Sequence, residues 1–342
     1  MKLVPAWTMM TRNAIFSARN PSHFLEVTAL FCILLASGRG ARTNTAFVNP
    51  QNPRNGLTFT SSFSGTSQHA GRVTVNEENL ALPTGSGLYR EFSRHAWEKL
   101  QSSGLFVQEP VEEECASNTA PARGLPSGSV VQMEVQALRG SLPQVAYARY
   151  ALLETLKAGN DANVTHHDGI QVLNLVIFPS TTTDLPVFGA DFVSLPGGKH
   201  LLLLDAQPMT EDVHYEHYWS DWYQSNHISE IFPWGGDMPE AVQRYVSSKA
   251  LWTRMASSED NAGEKRNPVI IIQTDLMAAF QAHLEVYIQL LHDYTDLESK
   301  DNWSAEYLDY RLTNDPARPM LKSLYGEEWT ERVLKTVLFP SP

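Results

Sequence analysis

The sequence predicts an α+β chain: a three-layer α/β/α sandwich whose central, mainly antiparallel sheet carries helices on both faces. Three observations predict it. Asp184 to Met209 (DLPVFGADFVSLPGGKHLLLLDAQPM) reads as two strands and a tight turn, with Val187–Leu195 and Lys199–Asp205 apolar and Pro196-Gly197-Gly198 supplying the positive-φ positions of a hairpin. Val172–Phe178 (VLNLVIF) is a third strand, closed by Pro179 and a Thr-rich turn. All three are apolar on both faces, as strands are when both faces of their sheet are covered. Finally, Asn267–Leu297 is the longest helix: Leu276, Phe280, Leu284, Tyr287, Leu291 and Tyr294 recur at three- and four-residue spacing and form one stripe suited to lie on a sheet.

The totals bound the function. A chain of 342 residues has room for one large domain or two small ones. Apolar content of 42% and charged content of 19% are those of a globular protein. The only cysteines are Cys32 and Cys115, too few for an iron–sulfur cluster of the chain's own, which takes four ligands, or for a disulfide framework. Neither GxGxxG after a strand nor GxxxxGK[ST] occurs, so the nucleotide-cofactor motifs are missing. A net charge of −12 argues against nucleic acid as a partner.

In chain order, residues 1–46 read as a signal peptide, with Lys2, Arg12 and Arg19 ahead of a ten-residue apolar run, Val27–Ala36, too short to span a membrane. Residues 47–75 hold no acidic residue and many Ser and Thr, a transit-peptide-like composition. Together they resemble the bipartite leaders that deliver proteins to secondarily acquired plastids. A secreted protein with an unstructured N-terminus is the other reading, and sequons at Asn163 and Asn302 fit it. Residues 76–342 form the functional domain. Leu88–Ser102 is an amphipathic helix, Val111–Gly128 a loop, Ser129–Leu138 an alternating strand, Ala146–Ala158 a short helix and Gly159–Gly169 a polar loop. His166 and His167 in that loop lack a third ligand and read as solvated. His214–Trp234 is rich in aromatics, which fill a core or wall a flat, conjugated ligand. Met238–Met255 is helix-like and ends in Trp252-Thr253-Arg254; Ala305–Leu312 and Glu327–Leu338 are the closing helices. Between these two, Asp315 and Pro316 read as N-cap and N1 of a helical run.

Two polar residues interrupt the apolar meander. A hairpin centred between Thr182 and Thr183 sets Asn174 opposite Asp191, and one centred on Gly197 sets Leu203 on the other side of Asp191. Cross-strand partners share a face. With an apolar neighbour and little water, the charged form of Asp191 is disfavoured, and a carboxyl so placed can donate a proton near neutrality. The alternative is a structural carboxylate tying down backbone N–H groups.

The run LPVFGADFVSLPGG, followed by HLLLLDAQP, preceded by QVLNLVIFP and succeeded by NDPARPMLKSLYGEEW, resembles the ferredoxin-dependent bilin reductases, over roughly Ser129 to Phe339. The resemblance implies an open-chain tetrapyrrole as substrate, reduced ferredoxin as one-electron donor, and no bound metal or flavin cofactor. It places proton donors at Asp191, with Asn174 beside it, and at Asp315. Arg254 and Arg318 become candidates to hold the bilin propionates, and Phe188 and Leu203 candidates to line the slot. A capping role for Asp315, a pairing of Arg318 with Asp315, and an exposed helix-end role for Arg254 stay open beside these. Within the family, FGAD, LPGG and Asn174, where biliverdin-to-phycocyanobilin relatives carry His, fit the branch that reduces 15,16-dihydrobiliverdin at the A-ring vinyl system to phycoerythrobilin. Four-electron reduction of biliverdin is the second reading and a non-catalytic bilin carrier or lyase the third. The implied setting is a monomer in the plastid that meets ferredoxin and, for substrate transfer, the preceding bilin reductase, with no membrane attachment in mature form. Removing residues 1–46 takes away five basic side chains and one acidic, moving the net charge from −12 to −16. The ferredoxins of the resembling systems are acidic too, so docking would need a local basic patch.

Overall fold

Eight strands pair into one sheet, antiparallel at every pairing, with short turns joining Ser129–Gly140 to Val145–Lys157 and Val187–Leu195 to Lys199–Gln207. The computed structural model describes residues 87–122, 128–157, 169–211, 215, 228–237, 243, 245–256, 267–295 and 302–340, all within one unit. The leader segments 1–46 and 47–75, His166 and His167, the sequon at Asn163 and most of the aromatic stretch 214–234 lie outside these residues. Of that stretch, Tyr215 and Phe232 are buried, while Trp234 stands exposed. The strands are β1 (Phe106–Glu109), β2 (Ser117–Pro121), β3 (Ser129–Gly140), β4 (Val145–Lys157), β5 (Gln171–Pro179), β6 (Val187–Leu195), β7 (Lys199–Gln207) and β8 (Leu251–Ala256). Their order is β1-β3-β4-β5-β6-β7-β8, and β2 pairs with the other half of β3. The turn between β6 and β7 uses Gly197 and Gly198 at φ of 82° and 68°, as the Pro-Gly-Gly run requires.

Helices cover both faces, giving the three layers the sequence predicts. On the first face lie α1 (Arg90–Ser102) and α2 (Pro268–Asp293), the latter capped by the Asn267 side chain, which accepts the Val269 N–H at 2.9 Å. Leu276, Phe280, Leu284, Tyr287 and Leu291 of α2 are fully buried. Phe92 of α1 packs edge-on against Phe280 and against Phe192 of β6, both at 5.4 Å between centroids. By length and mean hydropathy α2 could cross a membrane, yet its stripe is the core of this face. On the second face lie α3 (Ser304–Asn314), α4 (Arg318–Tyr325) and α5 (Glu327–Val333, continued by a π-helical turn over Leu334–Leu338). Val333, Leu334 and Val337 pack there with Val131, Leu153 and Val176.

Four sequence expectations change. Ala146–Ala158 is not a helix but the body of β4, ladder-bonded to β3 on one side and β5 on the other. The helix preference of its Ala, Leu, Glu and Lys residues amounts to tenths of a kcal/mol each, and pairing on both edges outweighs it. The helix-like reading of Met238–Met255 fails at its end, because Leu251–Ala256 completes the sheet as β8, on the edge of β7. The loop Val111–Gly128 holds a single helical turn (Glu113–Ala116) and β2. Asp315 does accept the Ala317 N–H at 2.8 Å, but α4 begins at Arg318, so Pro316 precedes the helix instead of opening it.

Candidate active site

The period of two along a strand decides what the site contains. Over the middle of β5, β6 and β7 every first-face side chain is buried, whereas Val172, Asn174, Gly189, Asp191, Val193, Leu201 and Leu203 on the second face are partly open. The second face is thus partly open along a mostly apolar strip, or slot, over the centre of the sheet. One row of residues crosses it strand by strand: Ala151, Asn174, Asp191, Leu203 and Trp252. Both expected pairings, Asn174 with Asp191 and Asp191 with Leu203, are therefore in register. Among the described residues the Asp191 carboxyl has no hydrogen-bond or ion-pair partner.

Above this row, α3 and its end present Tyr307, Arg311 and Asp315 at four-residue spacing, which is one helical face. Tyr307 donates to Oε1 of Gln207 at 2.6 Å. Arg311 approaches Asp315 at 3.8 Å and the Tyr307 hydroxyl at 3.5 Å. The charge of Asp191 acts on all three. Burial raises the Asp315 carboxyl above its ordinary range, against the opposing pull of Arg311, the Ala317 N–H and Arg149. A carboxyl raised in this way holds its proton longer than one in water, as a proton donor must.

Arg149 of β4 lies beside Asn174 and is only 1% exposed. Its Nε donates to the Leu338 carbonyl at 3.1 Å and its Nη1 to the Asn174 carbonyl at 2.9 Å and to Asn174 Oδ1. The Phe339 ring lies 5.3 Å from Arg149 and 5.4 Å from Arg311, a cation–π contact to each. Burial lowers the Arg149 guanidinium to about 10, which leaves it charged at neutral pH.

The remaining expected residues divide. Leu203 faces the slot. Arg254 lies on the same face, cross-strand to Leu201, on β8 instead of at a helix end; it is exposed, packs 5.2 Å from the Trp252 ring and makes no ion pair among the described residues. Phe188 does not line the slot. It occupies the opposite face, fully buried against Phe280 and Tyr287, because it is an odd number of residues from Asp191. Arg318 does not pair with Asp315: Glu331 and the Leu312 carbonyl hold its guanidinium, and Arg311 takes the place beside Asp315. Sequence reasoning missed Arg149, Tyr307 and Arg311. The first was hidden by the helical reading of β4; as a strand, Tyr147, Arg149, Ala151 and Leu153 alternate onto one face, with the Arg in their midst. The other two were legible as the helical neighbours of Asp315 at i−8 and i−4. A separate cavity of about 610 Å3 lies on the second face, lined by Tyr147, Phe178, Val187 and Leu308 among others, and none of the expected site residues lines it.

The ferredoxin-dependent bilin reductase family model matches residues 150–340, a span that holds Asn174, Asp191, Arg311 and Asp315. The chain belongs to the ferredoxin-dependent bilin reductases. It is 37% identical over 194 residues to phycoerythrobilin:ferredoxin oxidoreductase of Nostoc punctiforme, covering 52% of this chain and 69% of the relative. To the protein of the same name from a Prochlorococcus marinus strain it is 37% identical over 197 residues, covering 55% and 74%. Tomato phytochromobilin synthase, solved in complex with biliverdin, shares the fold at a TM-score of 0.54 and 23% identity, over 73% of this chain and 82% of that one. This bilin reductase is thus an oxidoreductase that draws electrons from ferredoxin and reduces a bilin. The partly open, mostly apolar rows over β5 to β7, edged by polar groups, suit a flat conjugated tetrapyrrole.

Proposed function

We propose that the chain reduces 15,16-dihydrobiliverdin at the A-ring vinyl system to phycoerythrobilin, with Asp191 and Asp315 as the two proton donors. Two reduced ferredoxins each give one electron, and each electron is followed by one proton, so two electrons and two protons complete the step. The observation that carries this reading is the pair of carboxyls from two layers: Asp191 stands on the sheet between Asn174 and Leu203, Asp315 at the end of α3, and the charge of the first acts on the second. A bilin lying along the slot would have one acid on each side, and the radical formed after each electron would meet a donor without a water path. Asn174 and the names of the relatives support this substrate over biliverdin. Arg254, exposed and without an ion pair among the described residues, would hold a propionate. Arg318 is already engaged by Glu331 and is not put forward for that role.

An anaerobic assay tests the proposal: the chain with reduced ferredoxin and either bilin, followed by absorbance and product chromatography. Conversion of 15,16-dihydrobiliverdin alone, to phycoerythrobilin, is the expected result. Conversion of biliverdin through both steps would replace the proposal with the four-electron reading. Asp191→Asn should bind bilin as the parent does and slow turnover by about 100-fold or more, the loss typical of a positioned acid. Unchanged turnover would remove Asp191 from the mechanism. The leader composition of residues 1–75 supports plastid import, which a fluorescent fusion of that segment in an alga with a secondary plastid would test: signal outside the plastid would refute it.

A further inference from the structure

Asn174 presents a side chain with an acceptor on one end and two donors on the other, and a turn of the amide exchanges them. Arg149 removes the ambiguity. A guanidinium only donates, so the amide atom facing Nη1 must be the oxygen Oδ1, and the same Nη1 also holds the Asn174 backbone carbonyl at 2.9 Å. The Nδ2 amine therefore turns away from Arg149. It makes no hydrogen bond among the described residues and sits on the partly open face, directly across from the equally unpartnered Asp191. Arg149 is itself fixed by the Leu338 carbonyl at the end of the π-helical turn and by Phe339, so its position depends on the C-terminal layer being docked. Its Nη2 is buried and has no hydrogen-bond partner among the described residues.

We propose that Arg149 is a positioning residue: it locks the amide of Asn174 so that the slot meets a hydrogen-bond donor at this point, aimed at a carbonyl oxygen of the bilin. The inference rests on the reading of Asn174 and Asp191 as slot residues. It explains why a cation is buried in the centre of an apolar strand. A lone Asn on a strand can rotate its amide freely between two states, and a pocket that presents donor and acceptor by turns discriminates poorly. With the flip fixed, the Asn174 amine adds a preset dipole where negative charge gathers on the reduced bilin.

The test is a double-mutant cycle on the full chain, read on bound bilin as well as on turnover. Arg149→Met and Asn174→Ala should each shift the absorption of bound 15,16-dihydrobiliverdin in the same sense and lower kcat by about 10- to 100-fold, the size of one hydrogen bond to a charged group. The double variant should be no worse than the more severe single one, because both remove the same donor. Losses that multiply in the double variant, or an Arg149→Met chain whose melting temperature falls while bound bilin keeps its parental spectrum, would overturn the proposal. If Arg149→Met does not fold, Arg149→Lys keeps charge and stem while losing the fork, and the same cycle with it decides. A failure of the substrate reading would show in the parent chain alone, whereas the spectral coupling is measured without turnover.

Discussion

Phe188 and Asp191 stand three positions apart on one strand and do opposite things. Phe188 is wedged between α2 and the sheet, so Phe188→Ala should cost about 3–5 kcal/mol in denaturant unfolding while leaving bilin affinity of the folded fraction unchanged; a large loss of affinity without loss of stability would return Phe188 to the slot. Asp315 carries a different signature. Its raised native value means that, between the ordinary carboxylate range and that higher value, the folded chain binds a proton the unfolded chain has released, so stability falls as pH rises through this window. Asp315→Asn keeps an acceptor for the Ala317 N–H and has no charge to bury. Its melting temperature relative to the parent should therefore climb from acid to neutral pH, and a flat difference would contradict the burial of the charge.

Among the elements, α2 makes the same kind of statement with the sign reversed. His283 is buried on it, with Nδ1 2.7 Å from the Ala279 carbonyl, and burial lowers its pKa from 6.5 to about 4. The unfolded chain then binds the extra proton first as pH falls, so stability present above pH 6.5 is lost between there and pH 4, by on the order of 3 kcal/mol. A His283→Leu chain should show a shallower acid limb in that window; an unchanged limb would mean the imidazole is not the group responsible. The elements also show where sequence reading succeeds. The register of the β5–β6–β7 meander was legible to the residue because Pro179, the Thr-rich turn and Pro196-Gly197-Gly198 fix two hairpin centres, and a fixed centre dictates every cross-strand pair. β4 was not, because its composition favours a helix and only its two neighbouring strands make it a strand.

At the scale of the whole molecule, the slot lies between the sheet and the C-terminal layer, so a bilin that fills it ties the two together. Ligand at about 100 times its dissociation constant should stabilise the fold by about 2.7 kcal/mol and raise the melting temperature accordingly; Arg254→Ala should shrink that shift by weakening a propionate contact, and an undiminished shift would take Arg254 out of the site. The net charge of −12 acts at long range against any acidic electron donor, which leaves productive docking to short-range contacts.

The sequence by itself determined the layered α+β architecture, the register that sets Asn174 opposite Asp191, and the stripe that seats α2, since each follows from a local period or a turn of fixed geometry. Only the tertiary structure decided which face each layer covers. That choice sent Phe188 to the core and opened the slot over Asp191. It also gave Arg318 to Glu331 of α5 and brought Arg149 from β4 to the Asn174 amide. These outcomes depend on contacts between segments far apart in the chain, where burial and pairing outweigh the tenths of a kcal/mol that local preference supplies.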